Sequence, residues 1–211
     1  FVSSSANNMI TVVTALDDYF EMAEVPDYWY ATSFESEAER FMEFAADNGY
    51  GLKTAELIQI DPRNIFVSGE PFDYGNSVSV ATLYGTKVFD ENEQEILHVN
   101  DGEIYVTNEI FRSEANDFYN GCTIEIDTET GRKEFTLKGY TKDALYGSSM
   151  IGMTRFLVSE NDYKMFDVPG KTMFYSLSVY TDDEDYVEKV NQLDLKTIMN
   201  VDYPAIKMVY V

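Results

Sequence analysis

The stretch from Gly102 to Phe166 constrains the fold more than any other part of the sequence, because it predicts a compact β unit that carries a short helix. Residues 102–107 alternate polar and apolar side chains, as a half-buried strand does. Residues 108–118 have the composition of a short helix, and the turn at Asn120-Gly121 leads into a second strand over residues 122–126. The expected order is therefore strand, helix and strand.

A β-hairpin is predicted directly after this second strand. Its tip is the segment from Thr128 to Gly131, where the glycine can adopt the positive φ that hairpin loops of three to five residues need. The return strand is expected over residues 134–141, and Ser159-Glu160 opens a short helix that ends near Pro169.

The segments before this unit alternate between helix and strand. Apolar residues in the predicted helix over residues 8–22 follow the spacing of one helical face: Met9, Val13, Leu16 and Phe20. Residues 28–32 are typical of a buried strand, and Ser36 with Glu39 three residues later predicts a capping box for a helix that stops at Gly49. Further strands are predicted over residues 51–60, 64–67 and 77–84.

The segment after the unit predicts a strand, a helix and a final strand. Residues 172–180 alternate as a strand does. Asp182 is expected to cap a helix with an acidic first turn, whose residues Val187, Val190 and Leu193 point inward.

The charge of the chain excludes one class of partner. The 38 acidic and 15 basic residues give a net charge of −23, which repels the phosphate backbone of nucleic acids. Of the 211 residues, 45% are hydrophobic, which is enough to build a normal core. The same charge would attract a cationic peptide, a metal ion or a cationic antibiotic, although an acidic composition is more often a solubility trait.

No catalytic or cofactor motif is present in the sequence. His98 is the only histidine and Cys122 the only cysteine, so the usual zinc sites lack ligands. His98 is also the only imidazole that could serve as the base of a serine hydrolase, and no Gly-x-Ser-x-Gly elbow accompanies it. Phosphate-binding glycine motifs are also missing. The segment from Asp90 begins like a calcium loop, but Glu95 stands where glycine is required and Asp101 where the closing glutamate should be. We therefore predict no catalytic, cofactor or metal site residues.

Three patterns are interpreted as structural. His98 is expected to face solvent or to form a hydrogen bond from a strand. The acidic run from Asp182 is a helix start, and Trp29 with its flanking tyrosines, like Phe174-Tyr175, is expected to fill a core and not to line a ligand groove.

The order of the pieces in the central unit resembles the extracytoplasmic domain of FtsX/MacB-type ABC transporter permeases. In that family the stretch reads Gly-Glu-apolar, a short helix, Gly-Asp-Thr/Ser-apolar and Phe-x-apolar-x-Gly-apolar. Gly102-Glu103, Gly121, Phe135 and Gly139 fit this pattern, whereas Cys122 stands where aspartate is common. Each piece alone is an ordinary hairpin, so the order of the pieces carries the resemblance.

The resemblance implies an α+β fold. Residues 1–99 and 171–211 would form a porter-like βαβ subdomain from both chain ends, and residues 100–170 an inserted, mostly β, sabre-like lobe that stands apart from it. It also implies a cytoplasmic ABC ATPase as partner, reached through membrane helices. Self-association of the permease and a peptide or protein substrate are further partners that it allows, and no cofactor is implied.

Two kinds of function follow from these expectations. The leading hypothesis is a non-enzymatic extracellular domain at the cell membrane, whose residues 1–22 and 204–211 continue into membrane helices, so both ends should lie close together. The alternative is a secreted, acidic binding or adhesion module for a cationic peptide or a glycan. A hydrolase based on two carboxylates is third, and it would need a cleft with two convergent acids.

Overall fold

The computed structural model describes residues 15–148 and 153–210, which form a single mixed β-sheet with helices packed on it. The strands are β1 (Tyr28–Thr32), β2 (Gly51–Ile60), β3 (Ile65–Val67), β4 (Glu70–Pro71), β5 (Val78–Ala81), β6 (Glu103–Thr107), β7 (Thr123–Thr128), β8 (Gly131–Thr141), β9 (Gly147–Ser148), β10 (Met153–Leu157), β11 (Thr172–Tyr180) and β12 (Met199–Asp202). The helices are α1 (residues 15–22), α2 (Glu35–Asn48), α3 (Asn108–Phe111), α4 (Glu160–Tyr163), α5 (Tyr186–Asn191) and α6 (Tyr203–Met208), with a short 3₁₀ turn at Pro62–Asn64. The predicted α+β class is confirmed.

The strand order separates the two ends of the chain from its middle. The order is β12-β1-β11-β2-β5-β10-β6-β8-β7-β3-β4, and β9 pairs with β10. In the segment β12-β1-β11-β2, each strand runs antiparallel to its neighbours. The pairs β5–β10 and β6–β8 are parallel, so the middle of the sheet is mixed.

Strand β1 is buried on both faces, as its run of apolar residues predicts. On one face, Trp29 joins a core with Phe20 of α1 and Ile206 of α6. On the other face, Tyr30 packs with Phe41 of α2 in a second core that includes α5. The terminal helices and the helices α2 and α5 therefore cover opposite faces of the same strands.

The central unit has the predicted order of strand, helix and hairpin. Strand β6 is followed by α3, and β7 and β8 form the hairpin whose tip contains Gly131 at φ 126°. The helix is shorter than predicted, because it ends at Phe111 and not at residue 118. Strand β6 pairs in parallel with β8, so the first strand of this unit lies beside the return strand of its hairpin.

The expectation that residues 102–166 stand apart from the sheet that contains residues 28–32 is wrong. Strand β10 pairs with β5 on one side and with β6 on the other. The strands of residues 102–166 therefore belong to the same sheet as β1. Strand β3 also pairs with β7 across the predicted boundary at residues 99 and 100. The physical reason is that the edge of β5 that faces away from β2 has backbone groups that need partners, and β10 supplies them. The division into two subdomains at residues 99/100 and 170/171 itself stays a prediction.

Two predicted helix starts are wrong in detail. Helix α2 begins after Phe34, and no side chain caps it, so Ser36 and Glu39 do not form a capping box. Helix α5 begins after Asp185, and not after Asp182. With this later start, Tyr186 is the buried residue and Val187 is 49% exposed. The predicted end of α2 at Gly49 is confirmed, with φ 71° at that glycine.

Candidate functional site

The structure brings one histidine, one serine and one aspartate into a single cleft without making a triad. His98, Asp101 and Ser159 all line it. The Ser159 hydroxyl donates to Asp101 Oδ1 at 2.6 Å and accepts from the backbone N–H of Asp162 at 3.0 Å, and neither bond involves the imidazole. The serine is thus a cap for α4. His98 lies outside the strands, which the sequence did not predict, and it faces solvent, as predicted.

The segment from Asp90 forms a turn, and the acidic run from Asp182 directly precedes α5. Asp90 Oδ1 accepts hydrogen bonds from the backbone N–H groups of Asn92 and Gln94, and Phe89 pairs with Glu95 across this turn. Within residues 15–148 and 153–210, no group of three or more histidine, cysteine, aspartate or glutamate side chains is placed to hold a metal ion.

Trp29 is fully buried and therefore belongs to the core, as predicted. Its Nε1–H donates to Ser176 Oγ at 2.8 Å. The same serine hydroxyl shares a hydrogen bond with the hydroxyl of Tyr146, whose ring meets the indole edge to face at 5.6 Å. Trp29 thus links β1 and β11 to the segment that follows β8.

A buried ion pair joins β10 to the segment that follows β8. Arg155 of β10 donates from Nε to Asp143 Oδ2 at 2.8 Å, and the side chains are 1% and 0% exposed. One terminal nitrogen of the guanidinium also donates to the carbonyls of Thr82 and Tyr84, at 3.2 and 3.0 Å. The guanidinium lies over the Tyr146 ring, 4.5 Å from the centroid, as a cation–π contact. Burial raises the pKa of Tyr146 to about 12, so its hydroxyl stays protonated.

The Asp143 carboxylate also accepts hydrogen bonds from the backbone of its own loop. Asp143 Oδ1 accepts from the backbone N–H groups of Leu145 and Tyr146, at 3.1 and 3.2 Å. We call Asp143, Arg155, Tyr146 and Ser176 the buried hub, because together they connect β5, β10, β11 and the segment after β8. A buried charge pair of this kind is held by its hydrogen bonds, since desolvation offsets much of the attraction.

The two terminal helices pack against each other and against the buried hub. The ring of Phe20 on α1 meets Tyr203 and Tyr210 edge to face, at 5.6 and 5.5 Å. Asp17 of α1 forms an ion pair with Lys207 of α6. The Tyr210 hydroxyl donates to the carbonyl of Ala144 at 2.8 Å, next to the hub aspartate. Helices α1 and α6 therefore lie side by side. The prediction that both ends of the chain lie close together concerns residues 1–14, which include Met9 and Val13, and residue 211, all of which lie outside the described residues.

A cleft of about 600 Å³ separates α1 from the strands and loops beside it. Tyr19 and Met22 of α1 form one wall, and Phe89, Lys142 and Asp143 form the other. Burial, with the nearby Asp143 carboxylate as a second cause, raises the pKa values of Tyr19 and Tyr210, so both phenols are neutral at physiological pH.

The sequence did not indicate the buried hub. Asp143 and Arg155 are twelve residues apart and stand in ordinary surroundings, and only the return of β10 to the sheet joins them. A single arginine within the apolar strand residues 153–157 was the one available signal, because arginine is rarely buried without a partner.

None of the helices that the structure describes is long and apolar enough to cross a membrane. No protein-family model matches the sequence, and a comparison with curated proteins finds no match. In fold, the chain is similar to the crystal structure of the periplasmic region of MacB from Actinobacillus actinomycetemcomitans, with a TM-score of 0.45 and 8% sequence identity. The similarity covers 86% of this chain and 90% of that one. The proposals below rest on the contacts of this chain.

Proposed function

We propose that this chain is the extracellular domain of an ABC transporter permease and that it works mechanically, without catalysis of its own. The observation that carries the proposal is the packing of α1 and α6 into one unit that contacts the buried hub. A domain inserted between two membrane helices needs both of its ends at the same place. It also needs a rigid connection from that place to the rest of the fold.

The buried hub supplies such a connection. A displacement of the terminal helices acts on the loop at Ala144 through Tyr210. From there, the Asp143–Arg155 pair leads to β5 and β10, and Tyr146 leads through Ser176 to β11. Packed interiors transmit displacement because they are close-packed and have low compressibility. Motion driven by a cytoplasmic ATPase would in this way reach the hairpin β7–β8.

The order of the central unit supports the same proposal. The sequence pattern that resembles FtsX/MacB-type permeases corresponds to β6, α3, β7 and β8. Gly102 is held at φ 77°, and its N–H donates to the buried Asp162 carboxylate at 2.6 Å. The positive φ explains why a glycine stands at position 102, and its place directly before β6 fits the family pattern. A peptide or protein substrate and a second permease are partners that would contact this part of the molecule.

Labelling of intact cells tests the proposal directly. A Glu129→Cys substitution at the exposed tip of the hairpin β7–β8 would be expressed in the full-length protein. The native Cys122 is 1% exposed and should not react. We expect the protein in the membrane fraction, with the introduced cysteine labelled by a maleimide that cannot cross the membrane. Release of the whole protein into the medium would favour the secreted binding module, and labelling only after lysis would overturn an extracellular position.

A further inference from the structure

The cleft beside α1 combines an apolar interior with an unpaired negative charge. Tyr19, Met22 and Phe89 supply aromatic and thioether surface, and the Tyr19 and Phe89 rings are 6.3 Å apart. The volume of about 600 Å³ lies within the range of about 300–1,000 Å³ that is typical of small-molecule sites.

Of the charged residues that the structure describes around the cleft, all but one are paired. Lys142 is paired with Glu93 at 3.0 Å. Asp143 is paired with Arg155 within the buried hub. Asp18 lines the cleft from α1, and it has no ion-pair partner in the described part of the chain. Because the protein carries a net charge of −23, its surrounding field adds to this local charge.

We propose that this cleft binds a small organic ammonium ion, with the apolar body of the ion among Tyr19, Met22 and Phe89 and its positive charge near Asp18. Aromatic faces attract ammonium groups through the ring quadrupole, and a nearby carboxylate adds a Coulomb attraction. An anionic ligand of the same shape would meet Asp18 and the field of the whole protein, so charge decides which ligand enters.

The site lies between α1 and the loop at Lys142, so a ligand there would contact both. Such a ligand would restrain the helix against the loop. A second cleft, of about 620 Å³, is lined by other residues of α1, among them Glu21, together with Lys53. The binding itself is independent of the proposed function; only the mechanical consequence of restraining α1 rests on it.

Two probes of the same shape and opposite charge test the proposal on the 211-residue chain. Benzyltrimethylammonium and phenylmethanesulfonate each carry a benzyl group and a tetrahedral ionic head. We expect the cation to shift the backbone amide resonances of Tyr19, Phe89 and Lys142 in a saturable manner at moderate salt, and the anion to leave them unchanged. Equal shifts from both probes, or cation shifts that avoid these residues, would overturn the proposal.

Three variants locate the site. Asp18→Asn removes the charge and keeps the shape, and it should weaken binding of the cation by about threefold, the size expected of one exposed charge pair. Glu21→Gln makes the same charge change at the second cleft and should bind as the wild type does. If both variants weaken binding equally, the general field and not the cleft attracts the ion. Tyr19→Leu should weaken binding by about fivefold while distant resonances stay unchanged; wild-type affinity in this variant would exclude the aromatic wall.

Discussion

Replacing Arg155 by methionine is expected to destabilise the fold more than a surface substitution could. The change removes the bond from Nε to Asp143 at 2.8 Å and the bonds to the carbonyls of Thr82 and Tyr84. It also leaves the Asp143 carboxylate, which is 0% exposed, without its counter-charge. Breaking a buried pair by removing one partner costs about 3 to 5 kcal/mol. We expect a loss of this size for Arg155→Met and a similar loss for Asp143→Asn.

The double variant separates the pair from its individual parts. In Asp143→Asn/Arg155→Met both charges are gone, and the amide oxygen can still accept from the backbone N–H groups of Leu145 and Tyr146. Each single variant, in contrast, leaves a buried charge alone. The double variant should therefore lose about 2 to 3 kcal/mol, which is less than either single variant and far less than their sum.

Urea unfolding at neutral pH measures these differences. The fluorescence of Trp29 reports the transition, because this single tryptophan is fully buried and contacts Tyr146. If the free energy of unfolding falls with urea concentration at the same slope in all variants, the substitutions change the stability and not the surface exposed on unfolding. The reasoning would be refuted if Arg155→Met cost less than about 1 kcal/mol, or if the two single losses simply added in the double variant.

Two further predictions concern a glycine and a carboxylate. A Cβ at Gly147 would collide with the backbone carbonyl oxygen of Asp143, so Gly147→Ala should lower the free energy of unfolding by about 2 kcal/mol. The control Gly75→Ala, at a position with open space, should leave the urea midpoint nearly unchanged. Equal effects of the two substitutions would contradict the packing of the loop at Gly147. Hydrogen bonding from Lys189 lowers the pKa of Asp183 from 3.8 to about 2, so the stabilisation by Asp183 is present above about pH 4 and is lost as the pH falls towards about 2. The difference in urea midpoint between wild type and Asp183→Asn should therefore be larger at about pH 5 than at about pH 2, and a constant difference would exclude this contribution.

Local patterns in the sequence predicted most of the elements but not their long-range pairing. The alternation in residues 172–180 and the apolar run at residues 28–32 correspond to β11 and β1. Gly49 and Gly131 were identified because positive φ at these turns favours glycine. The pairing of β10 with β5 was not predictable in the same way, since either strand could have bonded to another edge. The expectation of a separate lobe came from the family resemblance, and no local pattern in the sequence contradicted it.

The same limit applies to the candidate site. A helix start can be moved by tertiary contacts, as at α5, where the burial of Tyr186 and not the acidic run determines the first turn. The buried hub depends on three segments that meet only after folding. Residue types alone predicted neither a serine hydrolase triad nor a usual zinc site, and they did not show which charged pair lies in the core.

Energy transfer from a labelled hairpin to the bilayer tests the mechanical role most directly. The full-length protein, with a donor dye at Glu129→Cys and with the ATPase that we propose as its partner, would be placed in a bilayer that carries acceptor lipids. We predict that the transfer efficiency changes when a non-hydrolysable ATP analogue is added, and that the change is reduced in the Arg155→Met variant. An unchanged efficiency in a complex that still hydrolyses ATP would contradict the account.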